Sequence, residues 1–310
     1  MNFRILLWIG VLFFITGCKT IPANRSSKQS ALFVLKTGNA EMITDPNFGA
    51  RIISLKYNNA ELLYGGYADH ESSGSTLWPA PQSNWQWPPI DTLDYKPYIV
   101  REKNKVKTFV SMPSYKTGFQ MSKSFKVNTK DSSFTLTYSI KNISGTIKKV
   151  GCWEVSRLFP GGVTFFPAAP DSGILARSTL PGVTIENNLI WFKYDFNQII
   201  SKTKLYAMGS EGWVAHIKDG IAFIKSFEDL PSSAIAPQQG EIEIYANGNP
   251  RYVELENHGK YAILYPEESV TYQVKWYLRT VPENLLNINQ QTKLINWVRD
   301  IVNPQPAMSF

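Results

Sequence analysis

The sequence predicts an all-β protein of antiparallel sheets, closed by one C-terminal helix. Three observations carry this. Stretches that alternate apolar and polar side chains recur roughly every ten to fifteen residues, with turn-forming residues between them. Asn58-Asn59-Ala60 and Asp219-Gly220 each lie between two such stretches, the mark of a tight hairpin. Only residues 283–302 place apolar side chains (Leu294, Ile295, Val298, Ile301, Val302) at helical spacing. Strands joined by short turns favour a sandwich or barrel over βαβ units.

Taken in order, the chain opens with an export signal. Arg4 gives a positive start, and residues 5–15 form an apolar run too short to span a bilayer as a helix. Ile15-Thr16-Gly17-Cys18 follows and resembles the lipobox of bacterial lipoproteins. That resemblance implies a signal peptide over 1–17, cleavage before Cys18, and lipid on its sulfur as a membrane anchor. Lys19 stands where inner-membrane lipoproteins carry Asp, so the outer membrane of the cell envelope is the expected location. Residues 18–30, with Ser26, Ser27 and Ser30, read as a polar tether. Residues 31–302 contain no repeat, low-complexity tract or linker and read as one β-sandwich domain, followed by a tail at 303–310.

Within the domain, strands are expected at 31–36, 51–57, 61–64, 119–127, 134–140, 212–218, 221–227, 241–245, 251–256, 260–264 and 269–278. The net charge is +7, yet no dense Lys/Arg cluster of the nucleic-acid-binding type occurs, so no nucleic-acid partner is expected. Arg101, Lys103, Lys105 and Lys107 alternate and would share one face of a strand, as a charged edge that resists sheet-to-sheet pairing. With Cys18 lipidated, Cys152 has no disulfide partner and reads as a small core residue.

The stretch 77–89 is the most unusual. Trp78, Trp85 and Trp87 stand among Pro79, Pro81, Pro88 and Pro89, with Gln82, Asn84 and Gln86 between them. Proline lacks a backbone donor, so a stiff ordered loop is expected rather than a central strand. Indole faces beside amides suit a sugar, the rings stacking on C–H faces and the amides bonding hydroxyls. Equally, the tryptophans could plug the end of a sandwich.

Segments along the chain resemble galactose mutarotase-like proteins. Gly49-Ala50-Arg51-Ile52-Ile53-Ser54-Leu55 with Glu61-Leu62-Leu63-Tyr64 is similar to their opening hairpin. Residues 134–140 with Asn142, Ser144 and Trp153-Glu154-Val155-Ser156-Arg157 resemble their middle sheet. Residues 251–256, then Leu264-Tyr265-Pro266-Glu267-Glu268-Ser269 and Trp276-Tyr277-Leu278, resemble their last strands. Together with the tryptophan stretch, these segments most resemble the bacterial domain-of-unknown-function family 4380 of that superfamily. The resemblance implies a galactose mutarotase-like β-supersandwich with a sugar-sized groove on one sheet. The mid-chain histidine that serves mutarotases as general acid has no counterpart, since His70, His216 and His258 all lie in other settings. The general base there is a late glutamate, which directs attention to Glu254 and Glu256.

On the strand 251–256, Val253 and Leu255 face the core, so Tyr252, Glu254 and Glu256 share the other face. Neighbouring carboxylates repel, and one can keep its proton as an acid while the other serves as base or ligand. An exposed acidic strand face balanced by lysines is the alternative. His258 follows just past the strand, a residue type suited to proton transfer. Glu154 faces away from Trp153, and Arg157 shares the Trp153 face; each is a ligand contact or a buried charge satisfied by a neighbouring strand. No Cys/His set has zinc spacing and no loop resembles an EF-hand, so neither metal nor cofactor is expected. The expected function is a lipid-anchored carbohydrate-binding protein whose groove uses Trp78, Gln82, Trp85, Trp87, Glu154, Arg157, Tyr252 and His258. Alternatives are a sugar epimerase, or a glycan hydrolase or lyase, acting through Glu254 and Glu256, and a non-catalytic structural lipoprotein.

Overall fold

The computed structural model describes residues 30–65, 72–104, 106–169, 178–249, 251–286 and 290–303. The signal segment, Cys18 and His70 lie outside the described residues. No helix among the described residues is long and apolar enough to cross a membrane.

In chain order the strands are β1 (Phe33–Thr37), β2 (Ala40–Asp45), β3 (Arg51–Tyr57), β4 (Ala60–Glu61), β5 (Ser75–Ala80), β6 (Ile99–Lys103), β7 (Val106–Val110), β8 (Phe119–Asn128), β9 (Ser133–Asn142) and β10 (Lys148–Leu158). They continue as β11 (Val163–Pro167), β12 (Val183–Glu186), β13 (Leu189–Lys193), β14 (Thr203–Ala207), β15 (Trp213–Lys218), β16 (Ile221–Phe227), β17 (Ile242–Gly248), β18 (Arg251–His258), β19 (Ala262–Leu264) and β20 (Ser269–Thr280). Among the described residues two α-helices accompany them, α1 (Asp91–Asp94) and α2 (Gln291–Val302).

The first sheet runs β1-β2-β3-β5-β10-β18-β17-β14, with β4 beside β3 and β19 beside β10. The second runs β12-β13-β11-β15-β16-β20-β9-β8-β7-β6. This is the galactose mutarotase-like supersandwich that the alternation and the resemblance anticipated. The inner faces meet in one core, with Leu55, Leu77, Cys152, Leu255 and Ile244 from the first sheet and Phe125, Leu136, Val274, Trp276 and Phe223 from the second. The hairpins form where expected: Asn58 and Asn59 hold φ of 49° and 65°, and Asp219 and Gly220 hold 50° and 73°, which two-residue turns of the primed kind require. α2 lies on the outer face of the second sheet, with Leu294, Ile295 and Val298 against Phe165, Trp213, Ile224 and Tyr277.

Four sequence expectations need correction. Residues 77–80 belong to β5, not to a loop, and β5 is a central strand between β3 and β10. Pro79 is tolerated there because β5 meets β3 only at Ile52↔Ser75. The Cys152 carbonyl bonds the Gly259 N–H on the β18 side. Pro79, opposite Cys152, therefore turns its backbone away from β10 into a side with no strand partner, where a missing donor costs nothing. The strand expected at 61–64 shrinks to β4. The Glu61 carboxylate takes the Leu55 N–H at 2.9 Å and the Leu63 N–H at 3.0 Å, which ends the ladder. The alternating cations do not share a strand face, because the chain reverses at Asn104 (φ 52°) between β6 and β7. Lys105 lies outside the described residues. Arg101 and Lys103 do sit on β6, the last strand of the second sheet, as a charged edge. The helical window 283–302 divides into a 3₁₀ turn at Glu283–Leu285 and α2.

Candidate binding face of the first sheet

Alternation along β5, β10, β18, β17 and β14 turns one set of side chains away from the core, onto the outer face of the first sheet. Pairing registers line them up in rows across the strands. Arg157, Glu254 and Tyr245 are successive neighbours on β10, β18 and β17. Val155, Glu256, Glu243 and Tyr206 form the next row, reaching β14. Trp78, Trp153 and His258 form the third.

This face is buried rather than washed by solvent, so an exposed acidic strand face is ruled out. Glu256, Glu243 and His258 have no exposed surface, and Glu254 and Tyr252 keep 6 % each. The Arg157 guanidinium Nε lies 2.8 Å from Glu254 Oε1. Lys204 Nζ bridges Glu243 Oε2 at 2.6 Å and Glu256 Oε2 at 2.8 Å. Burial pushes the Glu256 carboxyl up to about 8, against the pull of Lys204 and with the neighbouring carboxylates adding to the rise. Burial also penalises a charged Glu243, but Lys204 and His258 beside it outweigh that and hold its carboxyl below the ordinary range. Lys204, likewise penalised by burial, is held above its ordinary value by the two carboxylates. Burial thus disfavours a charged Glu256, while Lys204 and His258 favour a charged Glu243.

Aromatic rings cover the other end of the face. Trp78 meets Trp153 edge-on with centroids 5.0 Å apart, Trp87 at 5.8 Å and Trp85 at 6.0 Å. The Arg157 guanidinium lies over the Trp78 ring at 5.1 Å. Trp153 stacks on His258 at 5.4 Å and donates its Nε1–H to Glu256 Oε2 at 2.7 Å. Trp78 is pinned from outside by α1. Its Nε1–H reaches Asp94 Oδ1 at 2.8 Å, and the same oxygen takes Arg51 at 2.8 Å and the Thr76 hydroxyl at 3.0 Å. Gly49 lets α1 approach this closely, since a Cβ there would lie 1.7 Å from the Asp94 carbonyl oxygen at a left-handed φ of +63°. The Trp85 Nε1–H reaches the free Pro79 carbonyl at 2.7 Å.

Beyond β5 the chain turns at Gln82–Asn84, and a cavity of about 950 Å³ opens there. Asn84, Trp85, Gln86, Trp87, Tyr95 and Tyr261 line it, with Lys116, Lys148 and Lys149 among its walls. Trp87 is 51 % exposed.

The residues singled out from sequence separate accordingly. Trp78, Arg157, Tyr252, Glu254, Glu256 and His258 come together on one face. Trp85 and Trp87 join its aromatic end and line the cavity. Gln82 is half-buried at the turn, where its backbone N–H faces Gln239 Oε1 at 3.4 Å. Glu154 is not part of this face. It lies between the sheets, with Oε2 2.9 Å from Lys225 Nζ and Oε1 accepting the Ser75 and Ser156 hydroxyls, so it is a satisfied core charge. His258 closes β18 rather than following it. The one-face reading of Tyr252, Glu254 and Glu256 holds, but of the residues expected in the groove only Trp85 and Trp87 line the cavity; Trp78, Gln82, Arg157, Tyr252, Glu254, Glu256 and His258 do not. Sequence reasoning missed Lys204, Glu243 and Tyr245. Residues 241–245 alternate charged and apolar side chains just as 251–256 do, which was the available signal.

The family described as "Domain of unknown function (DUF4380)" matches residues 34–279. No curated protein matches the sequence. Among solved structures, a galactose mutarotase-like protein from Lactobacillus casei shares 10% identity at TM-score 0.55, over 80% of this chain and 100% of that one. A galactose mutarotase related enzyme from Lactobacillus acidophilus shares 10% identity at TM-score 0.55, over 82% and 99%. An aldose epimerase homologue from C. elegans shares 9% identity at TM-score 0.52, over 81% and 99%. At these identities the likeness is one of fold.

Proposed function

Because the chain belongs to the DUF4380 family and carries the galactose mutarotase-like fold, we propose that it is a carbohydrate-binding protein, lipid-anchored at Cys18 in the bacterial cell envelope and facing its ligand with the tryptophan end of the first sheet. The observation that carries the reading is the cavity of about 950 Å³ beside that sheet, large enough for a sugar unit or two, where the indoles of Trp85 and Trp87 meet the amides of Asn84 and Gln86. Each sugar hydroxyl bonded by the protein replaces a bond to water and contributes only about 0.5–1.5 kcal/mol. Ring stacking therefore dominates affinity and the amides set orientation. A glycan array probed with the purified protein, followed by calorimetry on the best ligand, tests this. Binding that Trp85→Ala weakens by about 1–3 kcal/mol supports it. No binding to any glycan by a folded protein overturns it.

A second reading is favoured by one observation. Glu256 and Glu243 are direct partners across β18 and β17 with His258 3.3 Å from Glu243, and their carboxyls are pushed in opposite directions, up and down, as an acid and a base on one face require. On that reading the protein exchanges anomers, the activity for which its mutarotase-like and epimerase-like structural relatives are named. Interconversion of the α and β anomers of a free sugar, followed by NMR and lost in Glu254→Gln or Glu256→Gln, would make it an enzyme. The anchor is tested separately: Cys18→Ala should abolish fatty-acid labelling, and labelling that persists would remove the lipoprotein part.

A further inference from the structure

We propose that Glu243, Glu256 and His258 form a binding site for a divalent transition metal of the zinc class, for which the Lys204 ammonium competes. One ligand atom from each of the three residues lies within 4.8 Å of the others, and all three side chains are fully buried. The independent observation is His258 itself. Its Nδ1 has no hydrogen-bond partner among the described residues, its Nε2 faces only the Glu243 carboxylate, and Glu256 Oε1 has no partner either. A buried polar group left so costs about 1–3 kcal/mol, and a metal ion facing these atoms removes that cost. His258 Nε2 is already 3.3 Å from Glu243 Oε1, close to the separation of two ligands on one small ion.

The donor chemistry selects the ion. One imidazole with two carboxylates suits zinc and its first-row neighbours, whereas calcium and magnesium prefer oxygen alone. Three protein ligands leave a position open for water. The ligands are also held by outer contacts of the kind that metal sites use. Gln239 and the Gly240 N–H fix Glu243 Oε1 at 2.9 and 2.7 Å, Trp153 Nε1–H fixes Glu256 Oε2, and Trp153 stacks on the His258 ring. Glu243 and Glu256 are direct partners across β17 and β18, so the backbone fixes their separation.

Lys204 Nζ lies between the same carboxylates. As a single positive charge it balances one carboxylate and gives His258 nothing. The Lys204 side chain is 18 % exposed, so the ammonium has a path to solvent when a dication takes its place.

The test uses the tag-free, detergent-purified full chain, stripped with a chelator and titrated with zinc, manganese or calcium. Calorimetry gives affinity and elemental analysis gives stoichiometry. Expected are one zinc per chain, weak or absent calcium binding, roughly tenfold or greater loss in His258→Gln, and a similar gain in Lys204→Met. Should His258→Gln fail to fold, cobalt in the wild type and in Lys204→Met decides the matter through its ligand-field spectrum, which must report a nitrogen–oxygen set of low coordination number. Absence of stoichiometric zinc in both the wild type and Lys204→Met overturns the proposal. So does zinc binding that a folded His258→Gln leaves unchanged, or that Lys204→Met weakens.

Discussion

On the second sheet the outer face carries Phe165, Trp213, Ile224 and Tyr277 and is closed by α2, whereas the outer face of the first sheet carries Arg157, Lys204, Glu243, Glu254, Glu256 and His258 among tryptophans. Both are buried, but by different physics. The second face is an apolar layer whose removal from water stabilises the fold at about 25 cal/mol per Å². The first face buries ion pairs, whose desolvation cost is comparable to what their attraction returns. A sandwich needs only its inner faces to be apolar, and here they are. Charges kept on an outer face that a helix could have covered contribute little to stability, which is the reason for placing the proposed function on that face.

The largest expected effect lies on the second sheet. Trp213 is fully buried under α2, and its Nε1–H bonds Glu211, which also holds Arg299 of that helix. Trp213→Ala should lower stability by about 3–5 kcal/mol and leave glycan affinity of the folded fraction unchanged, as read by urea unfolding and calorimetry. Lost affinity at full folding would break the separation of the two faces.

Next comes the charged face itself. Arg157→Met strands the Glu254 carboxylate, which is 8 % exposed, and should cost about 3 kcal/mol. Adding Glu254→Gln to it should recover most of that loss, since nothing is then left uncompensated. A double variant as unstable as the single one would mean that packing of the Arg157 stem on Trp78, not charge, governs this face.

How far these faces could be read from sequence differs for the same reason. The second was legible: alternation placed its strands and the spacing of Leu294, Ile295 and Val298 placed the helix, because apolar periodicity is local information. On the first, alternation gave the shared face of Tyr252, Glu254 and Glu256. It did not say that Lys204 stands beside them, because β14 reaches β17 only by a pairing between stretches far apart in the chain, Thr203↔Ala246 to Ala207↔Ile242; Glu243 lies on β17, the hairpin partner of β18, directly opposite Glu256. Parity along β10 separated Glu154 from Trp153, but both faces of that strand are buried. Composition alone could not show that Glu154 meets Lys225 inside the sandwich. Pro79 misled because the rule against proline concerns strands paired on both sides, and β5 at that point is paired on one.

A smaller effect sharpens the contrast through pH. His216, on the second sheet, is buried, its one hydrogen bond among the described residues is with the Thr164 hydroxyl at 2.9 Å, and burial, aided by Lys218, pushes its pKa down to about 4. The unfolded value is near 6.5. Between those values the unfolded chain binds the extra proton, so stability rises with pH across the window and is lost as pH falls from about 6.5 to about 4. The loss should amount to roughly 2–3 kcal/mol. His216→Gln should flatten that slope in urea midpoints taken at a series of pH values. An unchanged slope would place the acid-sensitive groups elsewhere.

The smallest effect on stability belongs to Trp87, and it bears most directly on function. The ring is half exposed, meets Trp78 edge-on at 5.8 Å, and has no hydrogen bond to lose among the described contacts. A packing tryptophan of this size would cost several kcal/mol when truncated, whereas a surface side chain away from special features changes stability by no more than about 0.5 kcal/mol. Trp87→Ala should fall in the second class, with its melting temperature nearly unchanged, while weakening the glycan by about 1–3 kcal/mol if the ring is a stacking platform. Trp78→Ala, pinned by Asp94 and buried against Trp153, should lose both stability and affinity. If Trp87→Ala instead unfolds the protein and leaves binding intact in the folded fraction, the tryptophan cluster is a plug, and the outer face of the first sheet is closed by packing just as the second is.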